Sequence, residues 1–183
     1  ITGTALLEKL SPSELKYNDK GSTTIDHYKI NNYAKEANGN IDLRKALVKS
    51  SNAYFADQVQ KIGVETMIDI SKRFMFGQEI PFDLKVAVSP IPYNDKTTTL
   101  ELATAAFGQG KDLVTPLHVA LYTSAIANGG NMMKPYIVGE IIDPNGKIIE
   151  KTTPEILSKV ADKLTFGAEY DFFEREDGYK ELQ

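Results

Sequence analysis

Three small polar residues, Ser50, Ser51 and Asn52, interrupt a helix-forming run that extends from Lys45 to Val59. Two readings fit them. Ser and Asn are favoured helix N-caps, because their side-chain oxygens accept from the free N–H groups of the first turn. A Ser and an Asn two apart on a loop between helices also supply a hydroxyl that donates and accepts, and a carboxamide that does both without adding charge. Such a pair could hold part of an active site. The tripeptide alone leaves both readings open. Other chemistry-bearing residues are sparse. Cysteine is absent, which removes disulfides, thiolate metal sites and a Cys nucleophile together. His27 and His118 are the two histidines, too few for a zinc site or a His-based triad to be read from them; each is expected on a loop or helix surface, with packing the other role for His118. No cofactor and no metal are expected.

The 21 Lys and Arg against 25 Asp and Glu give a net charge of −4, with neither sign in a long block. That pattern argues against a nucleic-acid surface and against a polybasic membrane patch. No apolar run approaches bilayer-spanning length, and residues 1–30 lack the charged, apolar and small-residue regions of a signal peptide, so the chain is expected to be soluble. A chain of 183 residues is sufficient for one domain with a substantial core.

The elements that would position the triplet follow from periodicity and punctuation. Ile1 to Leu10 is apolar at Ile1, Ala5, Leu6 and Leu10, which predicts a helix with one buried stripe and no capping residue ahead of it. Gly21 to Tyr33 is rich in β-branched and aromatic residues and predicts short extended segments. A helix starting near Asp42 leads to the triplet. After it, one helix ends at Gly63 and a second amphipathic run ends at Gly77. Residues 78–96, with Pro81, Pro90 and Pro92, read as a surface loop. Thr98 and Glu101 form a capping box for a short helix through Ala106, and Thr115-Pro116 opens another that stops at Asn128-Gly129-Gly130. Asp143-Pro144-Asn145-Gly146 predicts a hairpin turn between YIVGEII and KIIE. Pro154 to Leu164 reads as helical, and no element is assigned to the acidic, aromatic tail beyond it. The Phe74, Met75 and Phe76 cluster is expected in the core. Gly108 and Gly110 lack the Gly-Lys-Ser/Thr ending of a phosphate-binding loop and read as turn residues.

Three segments in this order, ALVKSSNAYF at 46–55, FGQGKDLVTPLHVALYTSAIANGG at 107–130 and MMKPYIV at 132–138, resemble the transpeptidase domain of penicillin-binding proteins. The likeness is greatest to the monofunctional class B group and runs from about Ile1 to about Leu164, leaving 165–183 as an unassigned tail. It implies an α/β (α+β) fold of the penicillin-binding transpeptidase and serine β-lactamase type, here its mainly helical part with flanking strands, so that residues 1–183 form a partial domain. It implies that Ser50 and Asn52 are catalytic, as the Ser-x-Asn motif, with Ser51 left as the helix cap. In that family the serine of a Ser-x-x-Lys motif attacks an acyl-D-Ala-D-Ala stem or a β-lactam and forms an acyl-enzyme. The hydroxyl of Ser50 would relay protons, and Asn52 would hold the lysine and the substrate amide. A Lys-Thr-Gly strand completes such sites.

The chain departs from that pattern at two of the three motifs. Ile1 corresponds to the position just after the lysine of Ser-x-x-Lys, so the nucleophile and its base are expected upstream of the chain. Ser13-Glu14-Leu15-Lys16 has the right letters, but follows a helix-ending proline and reads as a surface turn capped by Ser11 or Ser13. Lys151-Thr152-Thr153 lacks the glycine that admits substrate to the strand. The expectation is thus a fragment of a serine D,D-transpeptidase that binds penicillin and cross-links peptidoglycan, inactive by itself. Its partners in the complete site would be the D-Ala-D-Ala stem peptide and β-lactams, with no nucleic acid. The parent would work at the extracytoplasmic face of the bacterial cell membrane, attached through an anchor outside this chain. A β-lactamase, a β-lactam sensor and a non-catalytic scaffold of the same fold are the alternatives.

Overall fold

The computed structural model describes residues 1–162. Helix α1 (Thr2–Lys9) starts at Ile1 without a side-chain cap, as its sequence predicts, and buries Ala5 and Leu6. A β excursion follows, with β1 (Tyr17–Asp19), β2 (Ser22–Ile25), β3 (Tyr28–Asn31) and β4 (Gly39–Ile41). It forms two antiparallel ladders, β1 with β4 and β2 with β3. Ile25 pairs with Tyr28 across the two-residue loop Asp26-His27, where both residues have positive φ, the backbone that a tight hairpin loop of this kind requires.

Helices α2 (Leu43–Val48) and α3 (Asn52–Arg73) flank the Ser-Ser-Asn triplet. The Asp42 side chain caps α2 by accepting from Lys45 N at 2.9 Å. Helix α3 is two helical runs joined at Gly63, whose φ of 74° and ψ of 172° interrupt the helix at the place where the sequence signals an end. It is the central element and packs against α1, against α4 (Thr99–Ala106) and against β2 and β3. Tyr54, Val59, Ile70 and Phe74 are wholly buried along it. Arg73 fixes α3 to α1 by a bidentate pair with Glu8 at 2.6 and 3.0 Å. The loop over residues 78–96 closes on this core through Tyr93, whose hydroxyl bonds Ser71 Oγ and donates to Met67 O at 3.3 Å. Thr98 and Glu101 form the full capping box of α4, and Thr115 with Pro116 starts α5 (Pro116–Ala127).

Past α5 lie β5 (Asn131–Met133), β6 (Glu140–Ile142), β7 (Ile148–Lys151) and β8 (Ile156–Lys159). The β6–β7 hairpin turns at Asp143, whose Oδ1 accepts from Asn145 N at 2.8 Å and Lys147 N at 2.9 Å. One expectation fails here. The segment from Pro154 is a strand, not a helix: β8 pairs antiparallel with β5, Met132 facing Ser158, and Val160 N donates to Gly130 O at 2.8 Å. Pro154 and the following apolar spacing favour a helix locally, but Met132 and Val160 are fully buried in this pairing, and burial against a distant strand overrides local propensity. Leu164 and the tail lie outside the described residues. Among the described residues, no helix is long and apolar enough to cross a membrane.

Candidate active site

The triplet is a turn clamped at both ends. On the α2 side, Ser50 N donates to Leu47 O at 3.1 Å and Ser51 N to Ala46 O at 3.0 Å, the paired bonds of a Schellman C-terminus. That motif places its first residue past the helix in left-handed backbone, and Ser50 has φ 50°. Glycine occupies such positions without penalty, whereas a residue with a Cβ costs about 1 kcal/mol or more there. An exposed serine held in that conformation is therefore retained at a cost to stability.

On the α3 side, the fully buried Ser51 is the N-cap, its Oγ accepting from Tyr54 N at 3.1 Å and donating to Asp19 Oδ2 at 2.7 Å. Asn52 is the first residue of the helix, and its Nδ2 donates to Asn31 O at 3.0 Å. A carboxamide nitrogen carries two hydrogens, so one bond to Asn31 leaves a second N–H and the Oδ1 acceptor for other partners. The three residues are thus placed differently: Ser51 turns inward to cap α3, while exposed Ser50 and half-buried Asn52 flank it.

The other sequence candidates do not join this turn. Ser13 and Lys16 sit on an exposed turn in which Ser11 N and Oγ both donate to Glu14 Oε2, at 2.8 and 2.6 Å. Lys151 ends β7 opposite Glu140, while Thr152 N and Oγ1 donate to Gly139 O and Val138 O at 2.9 and 2.6 Å. Both motifs are consumed by local structure, and among the described residues Lys151-Thr152-Thr153 is followed by a strand, β8, not a helix. Gly108 and Gly110 occupy a turn after α4.

Of the two roles expected for His118, surface and packing, the structure shows packing: it is fully buried on α5, its ring 4.4 Å from that of Phe76. A carbonyl only accepts, so Nε2 carries the hydrogen and donates to Phe74 O at 2.6 Å. Burial pushes its pKa down, partly offset by that bond. Nδ1 has no partner among the described residues. The ring is a packing element that joins α5 to the end of α3. His27 is exposed in the β2–β3 loop, as expected.

A buried carboxylate and a half-buried one escaped the sequence reading. Asp19 is one, described above as the acceptor for Ser51. Asp112 is the other. It borders a cavity of about 490 Å³ whose wall includes Gly3, Leu47, Phe55, Tyr93 and Val114, and burial pushes its pKa up to about 6. A raised carboxyl pKa means that the folded state disfavours the anion. Its stability contribution is fully present below the unfolded value near 4 and is lost as pH rises through about 6. Asp112→Asn is therefore expected to raise stability at pH 8 by about 1 kcal/mol, after discounting for partial solvent screening, and to give no gain at pH 4. Urea unfolding midpoints at the two pH values measure this.

The family model for the penicillin binding protein transpeptidase domain matches residues 1–169. Stage V sporulation protein D of Bacillus subtilis is 31% identical over 169 residues, covering 90% of this chain and 26% of that protein. The D,D-transpeptidase domain of a peptidoglycan glycosyltransferase from Eggerthella lenta superposes with a TM-score of 0.82 at 27% identity, covering 93% of this chain and 44% of that one. Penicillin-binding protein A of Mycobacterium tuberculosis, solved as its penicillin G acyl-enzyme complex, superposes with a TM-score of 0.83 at 22% identity, covering 100% of this chain and 43% of that one. The chain spans less than half the length of each of these relatives. With the match running through α1, the Ser50–Asn52 turn, α3, α4 and α5, the chain belongs to the penicillin-binding protein transpeptidase family.

Proposed function

We propose that the chain carries the Ser-x-Asn portion of a serine D,D-transpeptidase that cross-links peptidoglycan stems at the extracytoplasmic face of a bacterial cell membrane. This reading needs a serine nucleophile, a lysine base and a Lys-Thr-Gly strand beside the Ser-x-Asn turn to complete the site. In this reading the nucleophile's oxygen adds to the carbonyl of the penultimate D-Ala, and its proton passes to the lysine amine. Ser50 hands a proton on to the departing D-Ala nitrogen as the C–N bond breaks, leaving the acyl ester that a second stem's amine then attacks. Asn52 orients the amine through Oδ1 and the substrate amide through its remaining N–H. β-Lactams, which acylate the Mycobacterium tuberculosis relative, enter the same site as mimics of the stem.

The observation that supports this most is the left-handed Ser50. A turn needed only for connection would be cheaper with glycine, and an exposed serine hydroxyl kept there at that cost fits a relay group. Incubation with a fluorescent penicillin followed by intact-mass measurement tests the reading. The 183-residue chain alone is expected to stay unmodified, and the protein extended in frame through a Ser-x-x-Lys segment is expected to take one stable adduct on that serine. An adduct on Ser13 or Ser50, or an extended protein that stays unlabelled, overturns the assignment. Rapid turnover of the penicillin moves it to a hydrolase.

A further inference from the structure

Asp19 is the centre of a polar cluster that the proposed chemistry does not use. It ends β1, is 1% exposed, and receives hydrogen bonds from four residues. Gly21 N donates to Oδ1 at 2.8 Å. Asn32 Nδ2 reaches Oδ1 at 2.9 Å and Oδ2 at 2.8 Å. Asn38 Nδ2 and Ser51 Oγ each donate to Oδ2 at 2.7 Å. Burial raises the pKa of such a group, but here the donors from Asn38, Ser51, Gly21 and Asn32 outweigh it and hold the carboxyl below its usual range, so it is an anion at neutral pH. No Lys or Arg pairs with it among its hydrogen-bond partners; neutral donors alone satisfy the charge.

The cluster runs directly into the triplet. Asn32, itself held by Asp19, uses its Oδ1 to accept from Ala53 N at 3.0 Å, while its Nδ2 also donates to Glu36 O at 2.9 Å. Ser51 has one hydroxyl hydrogen. Committing it to Asp19 turns the oxygen's lone pairs toward Tyr54 N, so the carboxylate sets the orientation of the cap as well as its position. Together with Asn31 O on Asn52, the excursion between β1 and β4 grips three consecutive residues, 51, 52 and 53. Ser50 lies one residue before that grip and one residue after Lys49, the C-cap of α2, in a backbone state that relaxes unless both sides are held.

We propose that Asp19 is a positioning residue of the transpeptidation site: its buried carboxylate holds the Ser50–Asn52 turn in reactive geometry through Ser51 and Asn32. The proposal rests on the reading of Ser50 and Asn52 as proton-relay and orienting groups. Asp19 touches no reacting atom. Its loss should therefore slow the acylation step more than it weakens the initial non-covalent affinity for a β-lactam, since a small displacement of the turn costs the proton-transfer geometry more than it costs the single Asn52 hydrogen bond to the substrate amide.

The test uses the extended protein that contains Ser-x-x-Lys, with stopped-flow acylation by a fluorescent penicillin resolving the non-covalent constant from the acylation rate. Asp19→Asn places an NH2 group among four donors and is expected to lower the acylation rate by ~10-fold or more, with the non-covalent constant changed less than ~3-fold. Adding Asn38→Asp returns an acceptor to the cluster opposite the new NH2 group, and is expected to recover a substantial part of the rate. Should Asp19→Asn not fold, Asn38→Ala removes one 2.7 Å donor from a half-buried position and is expected to lower the acylation rate ~3-fold in a cooperatively folding protein. A folded Asp19→Asn or Asn38→Ala protein that acylates at the parental rate overturns the proposal, as does equal loss in affinity and rate that Asn38→Asp does not rescue. An unlabelled parent overturns the functional reading and this proposal with it, whereas a labelled parent with insensitive variants overturns this proposal alone.

Discussion

Gly21→Ala is expected to be among the most destabilising single substitutions in the described structure, lowering unfolding free energy by about 3 kcal/mol or more. Gly21 has φ +84°, and a Cβ built on it would stand 2.3 Å from Lys35 O, 3.0 Å from Lys35 C and 3.2 Å from Glu36 C. All three are backbone atoms, so no side-chain rotation relieves the clash. The segment after β3 would have to move, and it carries two bonds of the Asp19 cluster's surroundings: Asn32 N to Gly21 O at 3.0 Å and Asn32 Nδ2 to Glu36 O at 2.9 Å. Gly63 provides the control. It too has positive φ, at +74°, but nothing lies within 4 Å of its added Cβ, so Gly63→Ala is expected to show only the conformational cost of about 1–3 kcal/mol. Urea unfolding of both variants beside the parent measures the difference, and equal losses at the two sites would show that the Lys35 contact carries no weight. Because Gly21 N also feeds Asp19, a Gly21→Ala protein that still folds should slow acylation in the extended enzyme along with its stability.

The contrast between those two glycines also marks what can be read from sequence. Gly63 was legible as a helix end because the cue is local: apolar periodicity stops, glycine follows, and periodicity resumes in a new phase. The same holds for Asp42, Thr98 with Glu101, and Thr115 with Pro116, whose caps join residues three apart. Ser51 as cap belongs with them. What could not be read were partners set by tertiary contact. Asp19 gathers donors from residues 21, 32, 38 and 51, which no spacing rule groups together. His118 looks like a helix-surface histidine until α5 docks against Phe74 and Phe76. Asp112 follows a lysine in a polar stretch, yet it borders an apolar cavity. The strand at Ile156–Lys159 needs Asn131–Met133, a segment more than twenty residues earlier, to exist at all. The proposed roles of Ser50 and Asn52 came from family likeness, and the turn geometry adds a physical reason to test them.

In the extended enzyme, Ser50→Ala and Asn52→Ala are each expected to slow acylation by ~10²-fold or more, the scale of a lost proton-transfer or positioning group. Alanine alone leaves an ambiguity at Ser50, because any change there touches a residue in left-handed backbone. Ser50→Gly resolves it. Glycine relieves the backbone cost, so that variant should be more stable than the parent by about 1 kcal/mol. If the turn matters only as structure, Ser50→Gly acylates at least as fast as the parent; if the hydroxyl relays a proton, it fails as badly as Ser50→Ala despite the added stability. At Asn52 the bond to Asn31 O is the structural part, and its loss should cost about 1 kcal/mol on thermal or urea unfolding. A rate loss of ~10²-fold corresponds to about 2.7 kcal/mol of transition-state stabilisation, more than that bond supplies. The double variant decides whether the two act as one unit. Groups that cooperate in a single proton-transfer geometry are strongly non-additive, so Ser50→Ala with Asn52→Ala should be little slower than the worse single variant. Near-parental acylation in both single variants would confine the triplet to joining and capping two helices.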